Sequence, residues 1–154
     1  ILNIQFTPEG RLLTGGTNRG WPVRGIKPFA LERLEWTGKM PFEIERLSVT
    51  PTGFHVDFTK PVDVTTASDP GSYVLGTFTH IYHAGYGGPE VDQTKPVVES
   101  VSLSEDGLRA TLVLDKLALG HVHEFDLGAV RARDGETLLH RHAYYTLNAI
   151  PEAR

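Results

Sequence analysis

The chain has no cysteine, which excludes disulfides, thiolate nucleophiles and cysteine-ligated zinc. It has no apolar run near the roughly 20 residues that a membrane-spanning helix requires. A basic excess is also missing. Fifteen Lys and Arg stand against nineteen Asp and Glu, for a formal net charge of −4 and a pI near 6.0, and a nucleic-acid partner would need a basic stripe. No Gly-x-Ser-x-Gly, P-loop or dinucleotide fingerprint occurs. No loop reaches the ligand density of an EF-hand, although "GGPEVDQ" and "SEDG" carry carboxylates. No Ser/His/Asp order stands out among the many polar residues. Position 1 is Ile, and no charged-then-apolar leader follows. "ILNIQFTPEGRLLTGG" therefore reads as the interior of a β-protein and the chain as part of something longer.

What is present is a globular composition, 40% hydrophobic and 22% charged over 154 residues, enough for one domain or one small domain with an attached piece. Sixteen glycines and ten prolines are spread as punctuation between short alternating or β-branched runs such as "LNIQF", "GFHVDF", "YVLGTFTHIYH", "LRATLVL" and "HVHEFDL". Regular short strands with frequent turn signals indicate an all-β sandwich or barrel. In "TPEG", "SEDG" and "ARDG" a glycine follows acidic or polar residues at a turn. In "GFHVDF", Phe54, Val56 and Phe58 share one face while His55 and Asp57 take the other, a half-buried strand. Strands are expected near 53–58, 97–103, 109–114, 121–127 and 138–147, with Phe54, Val56, Leu112, Phe125 and Leu127 inside. Lys27–Trp36 ("KPFALERLEW") reads either as a short helix or as extended chain. A boundary falls near residues 38–46, dividing residues 1–43, with their Gly-rich "GGTNRGWPVRG" loop, from residues 44–150.

Two constellations carry chemistry. The first is histidine: His121/His123 and His140/His142 form two His-x-His pairs, each with two imidazoles on one strand face. In "LDKLALGHVHEFDL" the first pair continues an apolar row formed by Leu117, Leu119, Phe125 and Leu127, which favours packing and hydrogen bonding. In the last strand Leu139, Ala143, Tyr145 and Leu147 make the apolar face and His140, His142 and Tyr144 the other. Because "GAVRARDGETL" is short and holds the Asp134-Gly135 turn signal, both pairs are expected on adjacent antiparallel strands. If they converge, with His80 or His83 as a third source of imidazole, they could hold zinc or copper. The second constellation is aromatic. Tyr82, Tyr86 and Tyr144, with Trp21 further off, could stack on a sugar, or else fill the core or dock onto a neighbouring domain.

From about Ile44 to Asn148 the sequence resembles a bacterial Ig-like domain of the S-layer type. The motifs that carry this likeness are "GFHVDFTKPVD", "ESVSLSEDGLRATLVLDKLALG", "HEFDLGAVRARDGETL" and "AYYTLN", with His123 standing where an aromatic residue is usual. The first 43 residues, through "IQFTPEGRLLTGGTNRGW", are similar to the last part of a six-bladed propeller of the soluble quinoprotein sugar dehydrogenase kind. The likeness implies an antiparallel Ig-like β-sandwich of about seven strands preceded by propeller-derived strands. It further implies a secreted or periplasmic, carbohydrate-related multidomain protein. On that basis the expected function is a non-catalytic accessory module whose partners are a polysaccharide and neighbouring domains. The competing class is a histidine-ligated copper or zinc protein acting oxidatively on polysaccharide. Dehydrogenase activity does not transfer, because the cofactor pocket needs blades missing from these residues.

Overall fold

The computed structural model describes residues 3–17 and 27–152. Two compact units are present, Ile1–Lys39 and Met40–Arg154. The first holds β1 (Asn3–Phe6), β2 (Leu12–Thr17) and β3 (Phe29–Leu34), paired antiparallel in the order β1-β2-β3. "KPFALERLEW" is thus extended chain, not helix. Pairing with β2 decides an ambiguity that the local apolar spacing left open. Trp21 and most of the Gly-rich loop lie outside the described residues.

The second unit is a β-sandwich. Its strands are β4 (Ile44–Thr50), β5 (Gly53–Phe58), β6 (Val74–His80), β7 (Glu90–Thr94), β8 (Val98–Leu103), β9 (Arg109–Leu114), β10 (Val122–Asp126) and β11 (His142–Thr146). They form two four-stranded antiparallel sheets, β4-β5-β9-β8 and β11-β10-β6-β7. The expected strands are present, the last of them shortened from 138–147 to His142–Thr146; the unanticipated one is β7, an edge strand with little apolar content. Between β5 and β6 a single helical turn, α1 (Val64–Ala67), is capped by Asp63, whose carboxylate accepts the Thr66 N–H at 2.8 Å.

Alternation explains the core. Phe54, Val56, Leu112, Phe125 and Leu127 are all fully buried, one sheet supplying the first three and the other the last two. Phe54 meets Phe125 edge-on at 5.0 Å and Tyr145 at 5.3 Å, the geometry that aromatic quadrupoles favour. The "SEDG" and "ARDG" turns place Gly107 at φ 73° and Gly135 at φ 86°, backbone that residues with a Cβ rarely adopt.

The sandwich is threaded end to end. At one pole the Leu139 N–H donates to the Phe42 carbonyl, and Glu43 holds the His140 backbone. At the other pole Leu147 N–H donates to His121 O, and Gly120 N–H to Leu147 O. Since β11 runs from Asp126 at its start to Val122 at its end, the chain enters the sandwich at one pole and leaves it at the other.

Candidate functional site

The register of β10 and β11 decides what the histidines do. The two pairs lie on or beside adjacent antiparallel strands, as the short connection requires. However, His123 faces Tyr145 across the ladder and Asp126 faces His142. The nearest of the four across the pair, His123 and His142, are three ladder positions apart, about 10 Å, and on opposite faces. The first pair stands at the exit pole and the second at the other. They do not converge. Among the described residues no group of three or more His, Asp or Glu side chains is placed to hold a metal ion.

Each histidine has its own local task. His123 is fully buried and packs on Phe54 with ring centroids 5.2 Å apart. Its Nε2 accepts the Ala118 N–H at 3.3 Å, while Nδ1 finds no hydrogen-bond partner among the described residues. Burial lowers its pKa, because a charged ring would sit among apolar side chains. His121 is the opposite case. Nδ1 lies 3.0 Å from the Leu119 carbonyl and Nε2 2.9 Å from the Asp92 carboxylate. Both partners are acceptors, so only the imidazolium satisfies both, and the Leu119 carbonyl and Asp92 raise its pKa. Asp92 adopts φ 53°, a left-handed conformation that Asp tolerates better than most residues.

The apolar row drawn through Leu117 and Leu119 ends before the strand begins. Leu119 is exposed, because Gly120 turns at φ 77° and only residues from His123 onward alternate inward. On the other strand Leu139 is exposed and Leu138 buried, since β11 starts only at His142 and the residues before it are irregular. His140 Nδ1 lies 2.6 Å from Glu43, whose other carboxylate oxygen accepts the His140 backbone N–H at 3.1 Å. This clasp ties the start of the sandwich to its last strand. His142 Nε2 accepts from Arg141 at 3.2 Å.

The aromatic residues divide as well. Tyr82 and Tyr86 sit on the loop between β6 and β7 and are fully exposed, at 102% and 109%. That loop folds on His83, whose Nδ1 accepts the Gly85 N–H at 3.0 Å. A Cβ at Gly85 would fall 3.0 Å from the same ring, a tight contact that the exposed His83 side chain would have to yield to. His80 caps the loop's base, its Nδ1 3.2 Å from the Pro89 carbonyl and its ring against Phe78. Tyr144 belongs elsewhere, on the outer face of β11, where its hydroxyl donates to Glu124 at 3.0 Å. Glu124 raises the Tyr144 pKa by stabilising the donor form.

Besides a depression of ≈ 390 Å³ within the β6–β7 loop itself, lined by His80, Tyr82, His83 and Gly85, two shallow grooves accompany these groups. One, of ≈ 490 Å³, runs between the edges of β4 and β11 and includes Glu43, Arg46, His140 and Tyr144. The other, of ≈ 450 Å³, crosses the outer face of β10-β6-β7 and includes Gly76, Phe78, Glu90, Gln93, Lys95 and Glu124. Most of this second group escaped sequence reasoning. The available signal was the lone glycine in "YVLGTFTH", an interruption inside an otherwise strand-forming run.

No family model and no curated protein matches the chain. Among solved structures it is similar to the bacterial S-layer protein SbsC. The N-terminal part of that protein matches at 29% identity and a TM-score of 0.55, covering 71% of this chain and 24% of that one. Its domains 1–6 match at 28% identity and a TM-score of 0.54, again over 71% of this chain but 14% of that one. Another crystal structure of SbsC gives 26% and 0.53. The chain thus spans about a seventh to a quarter of the structures it matches, and the likeness is that of an S-layer-type β-sandwich within a much longer polypeptide.

Proposed function

We propose that this chain is a non-catalytic β-sandwich module of an extracellular or cell-surface protein, transmitting position and load between neighbouring domains. The observation that carries this reading is the threading. The chain enters the sandwich beside Glu43 and His140 and leaves it beside His121 and Leu147, so such modules can be strung in series without doubling back. The likeness to SbsC domains supports it. Residues 1–43 would be the end of a preceding β-structure of propeller type, supported by their antiparallel three-strand meander. Force spectroscopy on the chain held at residues 40 and 152 tests the load-bearing role. It should give one unfolding step that releases about 400 Å of extended chain. Several small steps without a dominant barrier would remove the reading.

A second reading, contact with a glycan, is favoured by the Tyr82 and Tyr86 rings, which offer amphipathic surface that the module itself leaves unused. Retention of the chain on insoluble polysaccharide is the expected result, and its loss on Tyr82→Ala or Tyr86→Ala without a change in melting temperature would put the contact on this loop. Early unfolding of both variants would assign the rings to the fold instead.

A further inference from the structure

Gly76 leaves β6 without a side chain just before the register shift that this strand makes against β7 between Thr77 and Thr79. It sits in the middle of β6, a central strand, and its φ lies outside the left-handed region. A Cβ built there would approach only the Glu124 Oε2 atom, at 3.9 Å, an ordinary contact with a movable side chain. The other glycine in a strand of the sandwich, Gly53, is different: its Cβ would fall 2.0 Å from the Leu112 carbonyl oxygen. Glycine inside a strand is destabilising relative to alanine. At Gly76 no close contact among the described residues requires the absence of a Cβ. A glycine inside a strand accompanies a bulge or the close approach of another molecule to the backbone; Gly76 itself is paired in regular register with Glu124, so its open outer face suits such an approach.

The surroundings say what could approach. Phe78, half-buried, shares the outer face of β6 with Gly76. Glu124 lies opposite on β10, with one carboxylate oxygen held by the Tyr144 hydroxyl at 3.0 Å and the other turned toward the glycine floor. Across the floor, Gln93 donates to Glu90 at 3.2 Å, and Lys95 lines the same groove. Fixed carboxylates accept paired hydroxyl groups, an amide and an ammonium donate to ether or hydroxyl oxygens, and a flat apolar floor receives the C–H face of a ring. Two carboxylates against one ammonium disfavour a polyanion.

We propose that the groove over Gly76 is a binding subsite for an uncharged polysaccharide. One sugar ring lies on Gly76 and Phe78, with its hydroxyls on Glu124 and Glu90. This rests on the glycan-contacting reading above but places the ring on the sheet face, away from the Tyr82–Tyr86 loop.

Affinity electrophoresis of the full 154-residue chain through gels containing dextran, xylan or mixed-linkage β-glucan gives the test, followed by calorimetry with the polymer that retards it. Gly76→Val should hold or raise the melting temperature, since a β-branched residue suits the strand and the space is free. The same change should weaken binding at least tenfold by filling the floor. Glu124→Gln should weaken it as well, while Tyr82→Ala should leave it within about twofold. Failure of the unaltered chain to be retarded by any of the three polymers overturns both the subsite and the glycan reading. Retardation that survives Gly76→Val but not Tyr82→Ala overturns the subsite alone and returns the glycan to the loop.

Discussion

The two units are built from the same kind of antiparallel strand, yet only one of them has an interior. In the sandwich, two four-stranded sheets face each other and bury Phe42, Phe54, Phe58 and Phe125 completely. In the three-stranded sheet every described residue of β1 and β3 is exposed, including Phe6 at 68% and Phe29 at 69%, and Thr14 is the buried residue. Both are held by antiparallel backbone pairing. Backbone pairing alone therefore does not create stability. A sheet gains it when its apolar face is covered, because the driving force is area removed from water.

The largest effect that follows is at Phe125. Phe125→Ala should cost about 3–5 kcal/mol, as a large-to-small change in a closed core. Phe6→Ala or Phe29→Ala should change stability by no more than about 0.5 kcal/mol. Urea titration of each variant measures both, and comparable losses on the two sides would dissolve the contrast between the units. A fragment of residues 40–154 should next melt cooperatively within about 3 °C of the full chain, whereas residues 1–39 alone should show no transition. A fragment that fails to fold would show that the sandwich depends on the first unit.

Smaller effects sharpen the comparison within the sandwich. Glu43→Gln weakens a clasp that receives both the backbone and the ring of His140, and should cost about 1–2 kcal/mol in the same titration. The exit pole should respond to pH in two opposed ways. His121 has a folded pKa raised by the Leu119 carbonyl and Asp92. Its contribution is fully present below the unfolded value of about 6.5 and is lost as pH rises through the folded value. Asp92→Asn should therefore destabilise the module measurably at pH 5.5 and not at pH 9. His123 has a folded pKa lowered by burial, so its charging opposes folding as pH falls below about 6.5. His123→Phe should flatten the acid limb of the stability curve while costing little at pH 8. An unchanged acid limb would assign that sensitivity to other groups.

Residue patterning over five or six positions was enough to locate most strands, the inward faces of β5, β9 and β10 and the glycine turns, because each follows from side-chain alternation and backbone sterics along a few bonds. It missed β7, where the run "EVDQT" has little apolar content and pairing with β6 makes the strand. It could not resolve "KPFALERLEW" between helix and strand, since the short apolar run fits either period. The histidines show the same limit at the candidate site. Spacing suggested two imidazoles per strand face, but His121 precedes β10 and His140 precedes β11, and whether the pairs meet depends on register between strands joined through the irregular segment 127–141.

The sequence by itself determined that this is an all-β chain with a sandwich core on Phe54, Val56, Leu112, Phe125 and Leu127, since local alternation is written in consecutive residues. Only the tertiary structure decided that His121 meets Asp92, that His140 meets Glu43 and that Gly76 lies open between Glu124 and Gln93. Those meetings join residues 29, 97 and 48 positions apart. At such separations the fold of the whole sandwich, and no local preference, sets which side chains share a place.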